Sequence, residues 1–339
     1  MSPTTIVSVV CLISLNITPL HAYKCGKVQG KPFHLAVERI VAGYDVGYYR
    51  YSWYSSLMIG NVSACGGVLV APKTVLTAAS CFKNYLSTDG SVYKKLESIY
   101  NVSLGMYNNC LAEDHRRSYQ IEKVNVHEMY LKKRPFYDIA LLTLMGSTSS
   151  YKPICLPSLG GKTPLEGTVL GMGALKFNGS VPCTLHEARL LIYPEEKCRD
   201  IITKSGNNAS AMINVFCAGY TTANADTCQG DSGSPLQVMT ENGDFVLLGL
   251  VSFGYHCANP NIPGMYTDVS KYLEWIKVKS GLDVQTALMP IKIPTSQSGL
   301  IKPFKRFVVV IIIKNGKVTV IKKPVLHYPV STNQHLTNL

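Results

Sequence analysis

Three short segments of this chain carry residues suited to nucleophilic catalysis. They read Val75-Leu-Thr-Ala-Ala-Ser-Cys81, Tyr137-Asp-Ile-Ala-Leu-Leu142 and Asp226-Thr-Cys-Gln-Gly-Asp-Ser-Gly-Ser-Pro-Leu236. A serine such as Ser232 is a weak nucleophile until an adjacent base takes its proton. Ser80 cannot be that base, because a hydroxyl binds no proton near neutral pH. The chain therefore offers a nucleophile and an acid without an evident proton acceptor.

These segments resemble those of trypsin-like serine proteases of the chymotrypsin fold (the S1 family). The resemblance implies that Ser232 is the nucleophile, that Gly230 and Ser232 supply the oxyanion-hole N–H groups, and that Asp138 orients a base. In the family that base is a histidine, and Ser80 stands at its position. We therefore expect an inactive or nearly inactive homologue. Asp138 would instead accept hydrogen bonds from Ser80, Ser252 or water.

A specificity pocket is implied by the same resemblance. Asp226 matches the acid at the base of a trypsin-type pocket, where a carboxylate pairs with Arg or Lys side chains. The remaining pocket residues are Ser252, Phe253, Gly254 and Gly264. Met172 and His256 depart from the family pattern, which predicts an altered pocket rim. His256 is also the nearest candidate for a substitute base.

An activation site is implied by Glu38-Arg39-Ile40-Val41-Ala42-Gly43. In the family, cleavage after the basic residue frees the next amino group, so Ile40 would pair with Asp231, and the uncut chain would be a zymogen. The predicted organisation is a signal peptide (1–22), an activation segment or light chain (23–39), a protease domain (40–282) and a basic C-terminal extension (283–339).

The predicted fold class is all-β. Short apolar stretches separated by turn residues, without helical periodicity, favour antiparallel barrels or sandwiches. The resemblance implies two six-stranded antiparallel β-barrels with the active site between them. Apolar residues at helical spacing over 269–276, followed by Gly281, predict one C-terminal α-helix.

Several features predict a secreted, extracellular glycoprotein. An apolar run at 6–15 is followed by Leu20-His21-Ala22, which fits a signal peptide cleaved after Ala22, and the run is too short to span a bilayer. Of eleven cysteines, Cys11 would leave with this peptide, and an even ten would remain. The glycosylation sequons are Asn61, Asn101, Asn178 and Asn208.

Four disulfide bonds are implied by the family resemblance. They join Cys25 with Cys155, Cys65 with Cys81, Cys198 with Cys217, and Cys228 with Cys257. The first would tether the light chain to the protease domain after cleavage. Cys110 and Cys183 remain, either as a fifth pair, which we expect, or as two free thiols.

The net charge of +12 is concentrated at the C-terminal end. Residues 283–339 hold eight basic residues and one acid, Asp283, and therefore contribute +7. Such a tail indicates contact with acidic glycans, anionic lipid or acidic proteins, or else solvated charge without a partner. Within it, Asn315-Gly316 between two β-branched runs predicts a β-hairpin.

Three functions follow as hypotheses. The first is a protease homologue that binds ligands with exposed Arg or Lys, as a decoy for substrates or protease inhibitors or as cofactor of an active protease. The second is an active endopeptidase that cleaves after Arg or Lys. The third is a protein that adheres to glycans or membranes through its tail. We expect no metal or other cofactor, no nucleic-acid partner and no transmembrane span.

Overall fold

The computed structural model describes residues 24–29, 44–86, 95–130, 136–158, 164–174, 179–209, 212–219, 227–254, 262–281, 307–314 and 317–324. The chain divides into two units, Met1–Ile293 and Pro294–Leu339. Arg39, Ile40, Asp226, His256, Cys257 and Asn178 lie outside the described residues, so the predictions made for them remain predictions.

The first unit is built mainly from antiparallel strands. Its strands are β1 (Tyr44–Asp45), β2 (Tyr54–Ile59), β3 (Val62–Ala71), β4 (Thr74–Thr77), β5 (Asn101–Leu104), β6 (Arg117–Val126), β7 (Ala140–Leu144), β8 (Glu166–Gly171), β9 (His186–Ile192), β10 (Val215–Gly219), β11 (Pro235–Met239), β12 (Phe245–Phe253) and β13 (Gly264–Asp268). Strands β2 to β7 close into one barrel in the order β2-β3-β4-β7-β6-β5. Strands β8 to β13 form the second barrel, closed by pairing of β8 with β9, and β1 adds to β9. Two six-stranded antiparallel barrels, the chymotrypsin fold, are thereby confirmed.

Strand β12 contributes residues to the hydrophobic cores of both barrels. Phe245 and Leu247 belong to the core that continues from the first barrel, whereas Leu248 and Val251 belong to the core of the second. Because successive residues of a strand face opposite sides, a strand between two cores is apolar throughout rather than alternating. The end of β12 carries Ser252 into the cleft between the barrels.

Two α-helices lie within the described part of the first unit. The predicted C-terminal helix is confirmed as α2 (Leu273–Ser280), preceded by a 3-10 turn (Val269–Tyr272) and ended by Gly281 at φ 65°. A left-handed C-terminal residue favours glycine. The other helix, α1 (Glu195–Lys204), was not predicted from the sequence. Its apolar face is small, since only Cys198 and Ile202 are buried.

Disulfide bonds join the pairs that the sequence indicated wherever both cysteines are described. They are Cys25–Cys155, Cys65–Cys81, Cys110–Cys183 and Cys198–Cys217. Cys228 is also disulfide-bonded. The segment 24–29 is held further by backbone hydrogen bonds of Gly26 to Pro153 and Phe245, and by an ion pair between Lys27 and Asp244 at 2.7 Å.

The second unit contains an antiparallel hairpin of β14 (Phe307–Lys314) and β15 (Lys317–Pro324). These are the two strands that the sequence predicted, with Lys314 opposite Lys317.

Among the sequons, Asn61 and Asn208 are exposed and Asn101 is partly exposed. No helix in the described ranges is long and apolar enough to cross a bilayer.

Candidate active site

The turn that carries Ser232 is fixed between the two barrels by backbone hydrogen bonds. The Ser232 carbonyl accepts from the Gly66 N–H at 2.9 Å, and the Gly233 N–H donates to the Val251 carbonyl at 2.7 Å. Gly233 has φ 82°, and a Cβ there would lie 2.3 Å from Thr77 Oγ1. Only glycine fits this conformation and this space. The turn is therefore held rigidly at one position in the cleft.

Gly230, predicted to contribute to the oxyanion hole, lies two residues before Ser232 at φ 96°. The Asp231 N–H donates to the Cys228 carbonyl at 3.0 Å, and the Ser234 N–H donates to the Asp231 carbonyl at 2.9 Å. These bonds fold the segment into two successive tight turns. Glycine at Gly230 is required by the positive φ.

Asp138 is a fully buried carboxylate at the start of the segment leading into β7. Its Oδ1 accepts from the Ser80 N–H at 2.7 Å, and its Oδ2 accepts from the Ser80 hydroxyl at 3.0 Å and the Ser252 hydroxyl at 2.5 Å. The Asp138 carbonyl accepts from Thr267 Oγ1 at 2.8 Å. The expected contacts of Asp138 with Ser80 and Ser252 are confirmed.

Burial raises the pKa of Asp138 above that of an ordinary carboxylic acid, because charge is disfavoured away from water. Hydrogen bonds from Ser252 and Ser80 oppose this rise by stabilising the carboxylate. The two serines therefore supply the hydrogen-bond donors that a carboxylate loses when it is buried away from water. Sequence reasoning identified both serines but missed Thr267, whose position in β13 gave no signal of its own.

The Ser80 hydroxyl is directed to Asp138 rather than to Ser232. Ser80 lies at the start of a 3-10 helix (Ala79–Tyr85), which brings both its N–H and its hydroxyl to the carboxylate. Within the described ranges, the Ser232 hydroxyl has no hydrogen-bond partner. The described site thus holds a serine and a buried acid with no group between them that binds a proton near neutral pH.

The three described histidines contact other parts of the molecule. His115 stacks on Tyr49 with ring centroids 4.5 Å apart, and His127 stacks on Tyr137 at 5.1 Å. The Nδ1 atom of His186 lies 2.7 Å from the Thr184 carbonyl. No contact of these three rings with Ser232 occurs among the described residues.

Asp231 is a second buried carboxylate beneath the nucleophile. Its Oδ1 accepts from the Gly173 N–H at 2.7 Å and its Oδ2 from the Cys228 N–H at 2.9 Å. A Cβ at Gly171 would lie 2.1 Å from Oδ1, and one at Gly173 would lie 2.6 Å from the carboxyl carbon. The Gly-Met-Gly segment is therefore shaped around Asp231.

The described pocket residues lie together at the ends of β12 and β13. Gly254 and Gly264 are neighbours next to the paired residues Phe253 and Met265, and a Cβ on Gly254 would lie 4.0 Å from the Gly264 Cα. Ser252 is buried, and Phe253 is partly exposed with its ring 6.5 Å from that of Phe136. Met172, in contrast, is a core residue that is only 4% exposed. The prediction that Met172 alters the rim of the specificity pocket is therefore wrong, because this residue packs in the hydrophobic core.

Comparison with known proteins agrees with this architecture. The family model described as Trypsin matches residues 40–276. The proclotting enzyme of Tachypleus tridentatus is 34% identical over 255 residues, covering 70% of this chain and 65% of the relative. Transmembrane protease serine 11G of Rattus norvegicus is 32% identical over 252 residues, covering 73% and 56%. Serine proteinase stubble of Drosophila melanogaster is 30% identical over 250 residues, covering 70% and 30%.

The chain belongs to the trypsin family of serine proteases. It spans less than two thirds of the length of each of these relatives. Two disulfide-linked cysteines within the matched range, Cys110 and Cys183, join the loop after β5 to the loop before β9. The matched range ends inside α2, so the basic extension lies beyond it.

Proposed function

We propose that this chain is a secreted serine protease homologue that does not hydrolyse peptide bonds at a biologically useful rate and that acts by binding. The observation that carries the proposal is the geometry at Ser80. Its hydroxyl is bound to Asp138, and no described group lies ready to take the proton of Ser232. In the family the position of Ser80 holds the histidine base.

The energetic consequence of a missing base is large. In subtilisin, which uses a triad of the same type, loss of the histidine costs about 10⁶ in turnover, or roughly 8 kcal/mol of barrier. An oxyanion hole and substrate binding alone retain about 10³ to 10⁴ over the uncatalysed rate. A fixed nucleophile turn can thus survive as a binding feature while catalysis is lost.

The binding role rests on the pocket. A Cβ on Gly254 would meet nothing nearer than the Gly264 Cα at 4.0 Å, so the pocket wall is open at Gly254, and Asp226 would supply the negative charge for an Arg or Lys side chain of a peptide or protein. Such a homologue would compete with active proteases for substrates or inhibitors, or serve one of them as a cofactor. Secretion is proposed from the predicted signal peptide and is supported by the disulfide bonds.

Restoring the base tests the proposal. In protein cleaved after Arg39, Ser80→His is expected to create hydrolysis of arginyl and lysyl substrates, because Asp138 already contacts residue 80 and Ser232 occupies the nucleophile position that the family resemblance assigns. The gain is measured with a chromogenic arginyl amide. The same change combined with Ser232→Ala must abolish it, which separates this activity from a contaminating protease.

Of two informative outcomes, the first would contradict the proposal and the second would refute the assignment of the inactivity to Ser80 alone. Hydrolysis by the unmodified chain that disappears in Ser232→Ala would favour the active endopeptidase instead. A Ser80→His protein that folds and binds p-aminobenzamidine yet shows no hydrolysis would mean that more than the base is missing. Binding of p-aminobenzamidine by the unmodified cleaved protein, weakened by Asp226→Asn, would support the binding role directly.

A further inference from the structure

The hairpin of the second unit has two faces of different composition. Opposite residues of an antiparallel pair share a face, and successive residues alternate between faces. The register pairs Ile311 with Val320 and Ile312 with Thr319, which assigns every residue of both strands to one face or the other.

One face, here called the apolar face, contains almost only hydrophobic residues. Its members are Phe307, Val309, Ile311, Ile313, Val318, Val320, Lys322 and Pro324. The other face, here called the lysine face, is mixed. Its members are Val308, Val310, Ile312, Lys314, Lys317, Thr319, Ile321 and Lys323. The hairpin is therefore amphipathic, with lysines at both of its ends.

The segment around the hairpin is strongly and uniformly basic. Residues 301–324 contain seven basic residues and no acidic one. Four of the seven lie within the two strands, and the others precede β14. An apolar face flanked by lysines matches the surface of an anionic membrane, where apolar residues enter the acyl boundary and lysines reach lipid headgroups.

We propose that the apolar face of this hairpin docks on anionic lipid and attaches the chain to a membrane surface. Each strand of eight residues is about 27 Å long. A two-stranded sheet leaves the N–H and C=O groups of its outer edges without partners inside the hairpin, and hydrocarbon cannot satisfy them. The hairpin therefore lies in the interfacial layer, where water and headgroups supply those partners, rather than across the bilayer.

The residue composition of the hairpin favours an anionic lipid surface over an acidic glycan or a second copy of the chain. An acidic glycan would use the seven basic residues but would gain nothing from the apolar face. A second copy of the same hairpin would bring two clusters of lysines together at a cost in free energy. An anionic lipid surface uses both features at once.

The test is sedimentation of the full-length protein with lipid vesicles. Vesicles of phosphatidylcholine with phosphatidylglycerol should bind the protein, and vesicles of phosphatidylcholine alone should bind it far more weakly. A matched pair of variants separates the two faces. Val309→Thr with Ile311→Thr alters the apolar face, and Val310→Thr with Ile312→Thr makes the same exchange on the lysine face. All four changes keep a β-branched residue, so the strand preference is maintained.

The expected result is a loss of about fivefold or more in partitioning for the apolar-face variant and less than about twofold for the lysine-face variant. A second variant, Lys317→Gln with Lys323→Gln, leaves the apolar face intact. It should weaken binding by about 25-fold, since each lysine near an anionic surface contributes about fivefold.

Three results would overturn the proposal. The first is absence of binding to the phosphatidylglycerol vesicles. The second is equal loss in the two threonine variants, which would mean that the apolar face does not enter the lipid. The third is binding to heparin or self-association in place of lipid binding, which would assign the hairpin to a glycan or to a second copy. None of these results bears on hydrolysis, so the proposed function stands or fails separately.

Discussion

Removal of the Ser80 hydroxyl is expected to destabilise the folded chain through Asp138. In Ser80→Ala, the buried carboxylate keeps the N–H of residue 80 and the Ser252 hydroxyl but loses the donor at 3.0 Å. A hydrogen bond to a charged group contributes about 1.5 to 3 kcal/mol. Ser80 is partly exposed, so water can replace part of this contribution. We therefore expect a loss of about 1.5 kcal/mol.

This loss should also depend on pH. Burial raises the pKa of Asp138 above its value in the unfolded chain, so the folded state holds the proton more tightly. Stability then falls as pH rises through the interval between the two pKa values. Removing the Ser80 hydroxyl raises the folded pKa further. The deficit of Ser80→Ala should therefore be larger at about pH 8 than at about pH 4.

Thermal unfolding measures both effects. For a domain of this size, about 1.5 kcal/mol corresponds to a decrease of about 3 to 6 °C in Tm. Ser98→Ala is the matched control, because the Ser98 hydroxyl also donates to one acceptor, the Lys95 carbonyl at 2.8 Å, but does so at the exposed surface. Equal Tm values for Ser80→Ala and the unmodified protein at about pH 8 would refute this role of Ser80. So would a deficit no larger than that of Ser98→Ala.

Two further predictions follow from other contacts. Gly173→Ala should lower the free energy of unfolding by about 1 to 3 kcal/mol, because a Cβ would lie 2.6 Å from the carboxyl carbon of Asp231. Thermal unfolding measures this loss, and an unchanged Tm would contradict the packing. Burial opposes ionisation of Glu128, but hydrogen bonds from Lys279 and Trp275 outweigh it and lower the pKa of Glu128 to about 2. The small deficit of Glu128→Gln should therefore be present above about pH 4 and disappear as pH falls towards about 2; a pH-independent deficit would refute it.

The parts of the fold that the sequence predicted correctly depend on local patterns. The C-terminal helix follows from apolar residues at helical spacing and a terminating Gly281. The contact of Asp138 with Ser80 and Ser252 was implied by the resemblance of short motifs to those of trypsin-like proteases. The strands β14 and β15 follow from β-branched runs around Asn-Gly. Each of these signals lies within a short stretch of chain.

The remaining features depend on contacts between distant segments. Helix α1 was missed because its sequence is short and mostly polar, and only its Cys198 and Ile202 side chains are buried. Met172 was assigned to the pocket rim although it packs in the core. The reason for the two glycines beside it is the carboxylate of Asp231, nearly sixty positions away along the chain, which no local pattern reveals.

Active-site titration with an arginyl fluorophosphonate tests the central claim most directly, because covalent labelling of Ser232 requires an activated nucleophile. The measurement compares the unmodified chain with its Ser80→His variant, both cleaved after Arg39. We predict that Ser232 is labelled at a trypsin-like rate only when residue 80 is histidine. Labelling of Ser232 in the unmodified chain at such a rate would contradict the claim that this family member lacks a base.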